Sequence, residues 1–311
     1  MPTLGAIRDH FTRSFIEIMG YPRYLELIKG HYYADEISRF DQPDISHLFI
    51  KDAEISESFR ERLCHMDLII SYVSDRDGIF SHNLNAVKAQ GVIHYDPFPP
   101  GDEAGHITDH FLQSLDSLDI TCTDTIPKIF LNEEDVRFGR DFVKDRIAGS
   151  KRMLIAIHPG SGSRQKCWPV ERFVALINWL YQEYQACIVM IFGPADQEIL
   201  ERLKAGGNGD FIIADQLPLS KLAAVIKRCN LFIGNDSGVT HLAAALGIHT
   251  IALFGPTDPK VWGPRGESVK ILYRKAHCSP CRAEMRRDCL TQRCLEKIPI
   301  EDVMREVRLK N

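Results

Sequence analysis

The residue types best suited to chemistry in this 311-residue chain lie in the turn Asp236–His241, which reads Asp-Ser-Gly-Val-Thr-His. An apolar run that predicts a buried strand ends at Gly234, and the run Leu242–Leu246 after the turn predicts a helix. A helix start offers unbonded N–H groups and a partial positive charge, which suit a phosphate group. Asp236 or Ser237 would equally serve as a simple helix cap, so the turn by itself fits either role.

Two further loops of small residues follow predicted strands in the same half of the chain. The predicted strand Ile155–His158 leads into Pro159–Pro169, whose glycines and serines let a ligand approach the backbone. Lys166 in that loop adds a mobile positive charge that suits a diphosphate. The predicted strand Thr250–Phe254 leads into the loop Gly255–Pro259. Together the three loops predict a composite site for a phosphorylated nucleotide.

The order and spacing of these motifs resemble glycosyltransferase family 9, the ADP-heptose:lipopolysaccharide heptosyltransferases. The motifs are His-Pro-Gly-Ser…Lys-x-Trp-Pro, Phe-Gly-Pro, Gly-Asn-Asp-Ser-Gly-x-x-His-Leu-Ala-Ala-Ala and Leu-Phe-Gly-Pro-Thr-Asp-Pro. The match is dense from Met153 to Pro264 and weaker, though continuous, through the N-terminal half. The resemblance implies the α/β fold called GT-B, in which two Rossmann-like, doubly wound domains face each other across a cleft.

The resemblance also implies an activity and a set of site residues. The activity is transfer of a heptose, or a related sugar, from a nucleotide-diphospho-sugar, foremost ADP-heptose, to a lipopolysaccharide inner-core acceptor with inversion. The implied donor-binding residues are Ser161, Lys166, Glu198, Asp236, Ser237, Gly238, His241, Gly255 and Thr257. Asp196 competes with Glu198 for the donor's ribose. Catalysis would need no metal cofactor, because a lysine and a helix start stabilise the leaving diphosphate.

The start of the sequence departs from the family's pattern. The family opens with a buried strand and a glycine-rich turn that ends in Gly-Asp, and that aspartate is its expected general base. This sequence begins Met1-Pro2-Thr3, already at the predicted first helix. A late start codon or a damaged gene would account for that. We therefore assign no catalytic residue and expect the N-terminal sheet to lack a central strand. We also expect little or no transferase activity from the polypeptide as written.

Composition excludes several other classes of protein. Apolar residues make up 44% of the chain and charged residues 26%, which predicts a globular protein with a full core. The formal net charge of −4 argues against a nucleic-acid binder that works by bulk charge. No apolar run approaches the ~18 residues of a membrane span, and no signal peptide is visible. We expect a cytoplasmic protein, peripheral at most on the inner face of the cytoplasmic membrane.

Four of the nine cysteines crowd into one segment with the spacing C-x2-C-x7-C-x4-C. They are Cys278, Cys281, Cys289 and Cys294. A structural zinc ion is one interpretation, and a set of free thiols in a surface loop is the other. Four arginines are interleaved with these cysteines: Arg282, Arg286, Arg287 and Arg293. Such a run of arginines is typical of a solvent-exposed face. The alternative is that the arginines bind an anionic partner such as lipid phosphate.

The hydrophobic pattern predicts two domains. Residues 1–150 would form the acceptor-binding domain, with helices at Leu4–Met19, Ile55–Cys64 and His106–Leu118, and strands at 67–73 and 91–95. Residues 151–311 would form the nucleotide-sugar domain. In that half, strands and helices alternate from Met153 to Phe254, which predicts a parallel sheet. A polar linker is predicted at 141–152, the Cys-rich segment at 278–294, and a closing amphipathic helix from Ile300.

Two other functions stay open on the sequence alone. One is a catalytically silent nucleotide-sugar-binding protein, and the other is a different GT-B enzyme such as a nucleotide-sugar epimerase or hydrolase. Asp75-Arg76-Asp77 has the D-x-D form of metal-dependent sugar transferases, but Asp-Gly at 77–78 indicates a simple turn. The glycine spacing after His158 does not complete a dinucleotide-binding fingerprint, which argues against hydride chemistry.

Overall fold

A computed structural model describes residues 1–29, 32–99, 105–147, 152–194, 196–206 and 211–308. The chain divides into two compact units, unit 1 from Met1 to Thr125 and unit 2 from Ile126 to Asn311. No helix in the described ranges combines the length and apolar character needed to cross a membrane.

Unit 1 contains short strands and helices. The strands are β1 (Glu17–Gly20), β2 (Glu36–Arg39), β3 (Ile69–Ser71) and β4 (Val92–His94). The helices are α1 (Pro2–His10), α2 (Pro22–Leu25), α3 (Pro43–His47), α4 (Glu57–Cys64), α5 (Ile79–Ala86) and α6 (Ile107–Gln113), followed by a 3-10 turn at Asp116–Leu118. β1 pairs with β2 and β3 with β4, both in parallel.

The described strands of unit 1 form two separate pairs rather than one sheet. Their residues are mostly half-buried, and the core is divided among three small apolar clusters. Helix α1 contributes to two of these clusters: Ile7 and Ile70 of β3 pack against one, and Leu4 and Ile18 of β1 pack against the other. The expectation that a central strand is missing here stays a prediction.

Unit 2 is built on one continuous parallel sheet. Its strands are β5 (Leu154–His158), β6 (Cys187–Phe192), β7 (Ile212–Asp215), β8 (Leu231–Asn235), β9 (His249–Phe254) and β10 (Val269–Tyr273), in the order β10-β9-β8-β5-β6-β7. Its helices are α7 (Glu133–Ile147), α8 (Val170–Tyr184), α9 (Gln197–Gly206), α10 (Leu219–Lys227), α11 (Gly238–Ala245), α12 (Pro259–Trp262), α13 (Ala283–Arg287), α14 (Arg293–Glu296) and α15 (Ile300–Arg308), with a 3-10 turn at Arg164–Lys166.

Helices cover the sheet of unit 2 so completely that every residue of β5, β6 and β8 is buried. The chain order reverses at β5, which lies between β6 and β8. In open parallel sheets, ligands bind beyond the carboxyl ends of the strands at such a reversal. The fold thus points to the loops after β5 and β8 as the place for a site.

The two units divide at residues 125 and 126, whereas the sequence analysis placed the boundary at 150. Most of the predicted polar linker belongs to α7, which packs on α10 of unit 2. A Cβ atom added to Gly139 of α7 would lie 2.3 Å from the carbonyl oxygen of Ala224, so the two backbones touch. Gly149, Ser150 and Lys151, which also belonged to that predicted linker, lie outside the described residues.

The predicted helix Leu4–Met19 is wrong in its second half. Helix α1 ends at His10, and the apolar residues after it form β1, which pairs with β2. An Arg8 nitrogen donates to the carbonyl oxygen of Ser14 at 2.8 Å and fixes the chain reversal between them. Alternation of Ile16, Glu17 and Ile18 suits a strand once a neighbouring strand is available.

Candidate functional site

The three loops singled out in the sequence follow β5, β8 and β9, which are adjacent strands of the unit 2 sheet. Because the strands are parallel, their carboxyl ends lie at one edge, and the loops meet there. Five of the predicted donor residues lie in these loops and come together: Ser161, Lys166, Asp236, Ser237 and Thr257.

Asp236 joins all three loops. Its side-chain oxygen Oδ2 lies 2.7 Å from Lys166 Nζ and accepts a hydrogen bond from the Thr257 hydroxyl. Its backbone carbonyl accepts from Ser161 Oγ at 2.7 Å. The Asp236 side chain is only 7% exposed, and a buried carboxylate needs such partners to remain charged. The pair places the Lys166 ammonium at the meeting point of the loops.

Asn235, which the sequence analysis quoted within a motif but did not propose as a site residue, fixes the shape of this edge. It is fully buried, and its Nδ2 donates to the carbonyl oxygens of Pro159 at 2.7 Å and Gly160 at 3.3 Å. Its Oδ1 accepts from the backbone N–H of Trp168 at 2.9 Å. One amide thereby binds both ends of the loop that carries Lys166. A polar residue that ends an apolar strand is the sequence signal for it.

Helix α11 begins where the sequence predicts, and its cap is Ser237. The Ser237 hydroxyl accepts from the backbone N–H of Thr240, so capping belongs to the serine and not to Asp236. A Cβ atom on Gly238 would meet no atom within 4 Å, so the helix start at Gly238 faces open space. His241 lies half-buried in the same turn. An open helix start beside Lys166 is suited to an anion.

Gly255 and Gly160 are needed for close packing. A Cβ on Gly255 would lie 2.5 Å from Cγ of Leu295, and a Cβ on Gly160 would lie 2.0 Å from Oδ1 of Asp196. Gly255 therefore packs against α14, a role that the sequence analysis did not foresee.

The two competing carboxylates near α9 differ in their surroundings. Asp196 is buried, and its Oδ2 accepts from the N–H of Gly193 at 2.8 Å, close to the β5 loop. Glu198 is exposed on α9. Burial lowers the pKa of nearby His158, while the Asp196 charge opposes that shift. Asp196 thus belongs to the packed base of the site, and Glu198 projects into solvent.

The Cys-rich segment is held against two of the site's loops. The N–H of Cys281 donates to the carbonyl oxygen of Pro256 at 2.7 Å, and Gln292 Nε2 donates to that of Arg164 at 2.7 Å. Within the described ranges, no three His, Cys, Asp or Glu side chains are placed to hold a metal ion, so the predicted zinc site at Cys278, Cys281, Cys289 and Cys294 has no support.

The four thiols differ in their surroundings. Burial, together with the neighbouring thiolates, raises the pKa of Cys281 to about 11, and its Sγ donates to the carbonyl oxygen of Cys278. Cys294 is buried against Gly255. None of the four cysteines forms a disulfide bond.

The Asp75-Arg76-Asp77 motif of unit 1 is a helix cap. Asp75 accepts from the backbone N–H groups of Phe80 at 3.0 Å and Ser81 at 2.8 Å, at the start of α5. Its carboxylate is occupied by these bonds, which agrees with the turn that the sequence indicates.

Comparison with known proteins matches unit 2 and the end of unit 1. The family model for glycosyltransferase family 9 (heptosyltransferase) matches residues 107–290. Lipopolysaccharide heptosyltransferase 3 of Escherichia coli (strain K12) is 27% identical over 237 residues, which cover 73% of this chain and 64% of that protein. The chain thus spans less than two thirds of that relative's length.

Solved structures share the fold. The family 9 glycosyl transferase from Veillonella parvula DSM 2008 has a TM-score of 0.79 at 22% identity, covering 99% of this chain and 91% of that one. E. coli heptosyltransferase WaaC, solved with ADP, has a TM-score of 0.66 at 16% identity, covering 100% and 95%. These likenesses confirm the predicted GT-B class.

Proposed function

The chain belongs to glycosyltransferase family 9, and on this premise we propose that it transfers a heptose, or a related sugar, from ADP-heptose to a lipopolysaccharide inner-core acceptor with inversion. The observation that carries the proposal is the convergence of three loops on Asp236, which holds Lys166 beside the open start of α11. The similar E. coli enzyme bound to ADP and the heptosyltransferase named above support the donor and acceptor classes.

The donor's diphosphate is expected to lie between Lys166 and the first turn of α11. The ammonium offers a point charge, and the helix start offers backbone N–H groups and its dipole. The hydroxyls of Ser161, Ser237 and Thr257 line the same loops, with Gly238 and Gly255 in the loop backbones. His241 and the exposed Glu198 are proposed to contact the nucleoside end, with Asp196 supporting the loop beneath it.

Transfer requires the acceptor hydroxyl to give up its proton to a general base and to attack the anomeric carbon, while the bond from that carbon to the diphosphate oxygen breaks. Negative charge grows on the leaving diphosphate, and Lys166 and the start of α11 stabilise it more strongly than they stabilise the intact donor. A fixed ammonium and fixed backbone dipoles supply this stabilisation, so we propose that no metal cofactor is needed.

The acceptor is proposed to bind the N-terminal part of the chain, and the nucleotide sugar to bind unit 2. Inner-core lipopolysaccharide is assembled on a lipid, so we propose that the protein works in the cytoplasm as a peripheral protein at the inner membrane surface. The net charge of −4 argues against nucleic acid as a binding partner.

The test combines a binding measurement with a turnover assay. Calorimetry with ADP should show binding. Heptose added to a truncated inner-core acceptor, detected by mass spectrometry when ADP-heptose is supplied, would confirm transfer and would overturn the expectation that the polypeptide as written has little or no activity. UDP-glucose serves as the mismatched donor. ADP release that needs no acceptor would indicate a hydrolase or epimerase. Binding without turnover would favour the silent binder, and absence of ADP binding would overturn the proposed site.

A further inference from the structure

One surface of unit 2 combines exposed apolar side chains with unpaired positive charge. Leu290 is 95% exposed and Met285 is 54% exposed, although large apolar side chains are usually shielded. Arg282, Arg287 and Arg293 are exposed too, each within three residues of Met285 or Leu290 along the chain. We call these five residues the basic-apolar patch.

The charge of this segment is opposite to that of the whole protein. Residues 274–297 carry seven Lys or Arg and three Asp or Glu, a net charge of +4 in a chain whose net charge is −4. Among the described side chains, none pairs ionically with Arg282, Arg287 or Arg293, although such pairs occur elsewhere in unit 2. The arginines are therefore available to an external anionic surface.

The basic-apolar patch is fixed in place next to the candidate site. Gln292 donates to the carbonyl oxygen of Arg164, in the turn that carries Lys166, and Gln165 Nε2 donates to that of Arg287 at 3.4 Å. Cys294 and Leu295 anchor the segment in the buried core. The patch thus adjoins the donor loops and is held by them.

We propose that the basic-apolar patch docks unit 2 on the surface of a bilayer rich in anionic phospholipid. Leu290 and Met285 would enter the headgroup region, and the arginines would contact lipid phosphate, which is how peripheral proteins combine apolar burial with charge attraction. This inference deepens the proposed function, because it names the surface at which a lipid-linked acceptor would meet the donor loops.

Vesicle binding tests the proposal without donor or acceptor, so it can fail independently of transfer activity. The full chain is titrated with phosphatidylcholine vesicles that contain 30% phosphatidylglycerol, and sedimentation measures the bound fraction. An arginine near an anionic surface strengthens binding by about 1 kcal/mol, which is about fivefold. The combined Arg282→Gln, Arg287→Gln, Arg293→Gln variant should therefore bind roughly 100-fold more weakly.

The matched control removes three charges from another face of unit 2. Arg137→Gln, Arg140→Gln and Lys144→Gln change the exposed side of α7 and should leave vesicle binding within a fewfold of the unaltered protein. ADP affinity and melting temperature should stay unchanged in both triple variants. Equal weakening by the two triples would overturn the proposal, because it would show attraction by overall charge.

A fluorescent reporter tests insertion directly. The Leu290→Trp emission should shift to shorter wavelength with anionic vesicles and remain unshifted with pure phosphatidylcholine. No shift, or no binding of the unaltered chain to anionic vesicles, would overturn the proposal. Sedimentation velocity tests the alternative that the patch is an interface between two copies. A dimer of the unaltered protein that the Arg282→Gln, Arg287→Gln, Arg293→Gln variant does not form would also overturn the proposal.

Discussion

The strands of the two units differ in how completely they are enclosed. In unit 2 six parallel strands form one sheet; a large cluster that includes Phe173, Ile155 and Phe192 packs on it, and Phe232 and Phe254 are also fully buried. In unit 1 the four strands form two pairs with half-buried residues and three small clusters. A strand that is paired on both sides satisfies its backbone groups internally, whereas an unpaired edge leaves them to water.

The comparison explains why the candidate site lies where it does. Asn235 and Asp236 are buried at the ends of rigid, paired strands that hold their hydrogen-bond partners in place. The sheet of unit 2 provides that support on both sides of β8. The described strand ends of unit 1 carry no comparable network across three loops.

The largest expected difference between the units is in backbone opening. Amides of β5 and β8 should exchange with solvent about 10³-fold more slowly than those of β1 and β3, since local opening energies range from near zero to the global value. Hydrogen exchange followed by mass spectrometry measures this. Equal protection in the two units would show that the split sheet of unit 1 is as stable as the continuous one.

Nucleotide binding should depend on unit 2 alone. Lys166→Ala is expected to weaken ADP binding by about 1.5–3 kcal/mol, because a charge-assisted contact is lost. Lys221→Ala is the matched control: its side chain is 22% exposed against 23% for Lys166, and it pairs with Asp135 away from the site. Calorimetry measures both affinities. If the two variants bind ADP equally well, Lys166 does not belong to the binding site.

Two helix glycines test the difference in packing. Gly139→Ala in α7 should cost about 1–3 kcal/mol, because its Cβ would overlap the Ala224 backbone. Gly5→Ala in α1 should stabilise by about 0.5–1 kcal/mol, because the nearest atom to its Cβ would be 3.7 Å away and alanine favours a helix. Urea denaturation measures both. A neutral Gly139→Ala would mean that α7 is not packed tightly on unit 2.

The smallest expected effect is a pH dependence from His158. Burial lowers its pKa, so the folded protein keeps the ring neutral where the unfolded chain takes up a proton. Stability should therefore fall as pH drops through and below the ordinary histidine value of ~6.5, and rise again toward neutral pH. His158→Gln should flatten this part of the stability profile, while replacement of exposed His277 should not. If the pH dependence of stability is unchanged in His158→Gln, the His158 ring is not its source.

The C-terminal elements were predictable because each one's local pattern agrees with its final environment. Helix Val170–Tyr184 and strand Cys187–Phe192 follow the alternation predicted from Met153 to Phe254. The helix has one fully buried apolar face, formed by Phe173, Leu176, Ile177 and Leu180. By contrast, α7 was taken in part for a linker, because its composition is strongly polar. Its Val143 is fully buried only because α10 is present to cover it.

The sequence by itself determined the chemistry of the loops, their order along the chain and the parallel sheet that carries them. Only the tertiary structure decided that Ser237 caps the helix while Asp236 binds Lys166, and that Gly255 packs against the buried Cys294 and Leu295. The reason is distance along the chain. Asp236 lies 75 residues from Ser161 and 21 from Thr257, and no local pattern records which of several polar side chains will meet once the strands are paired.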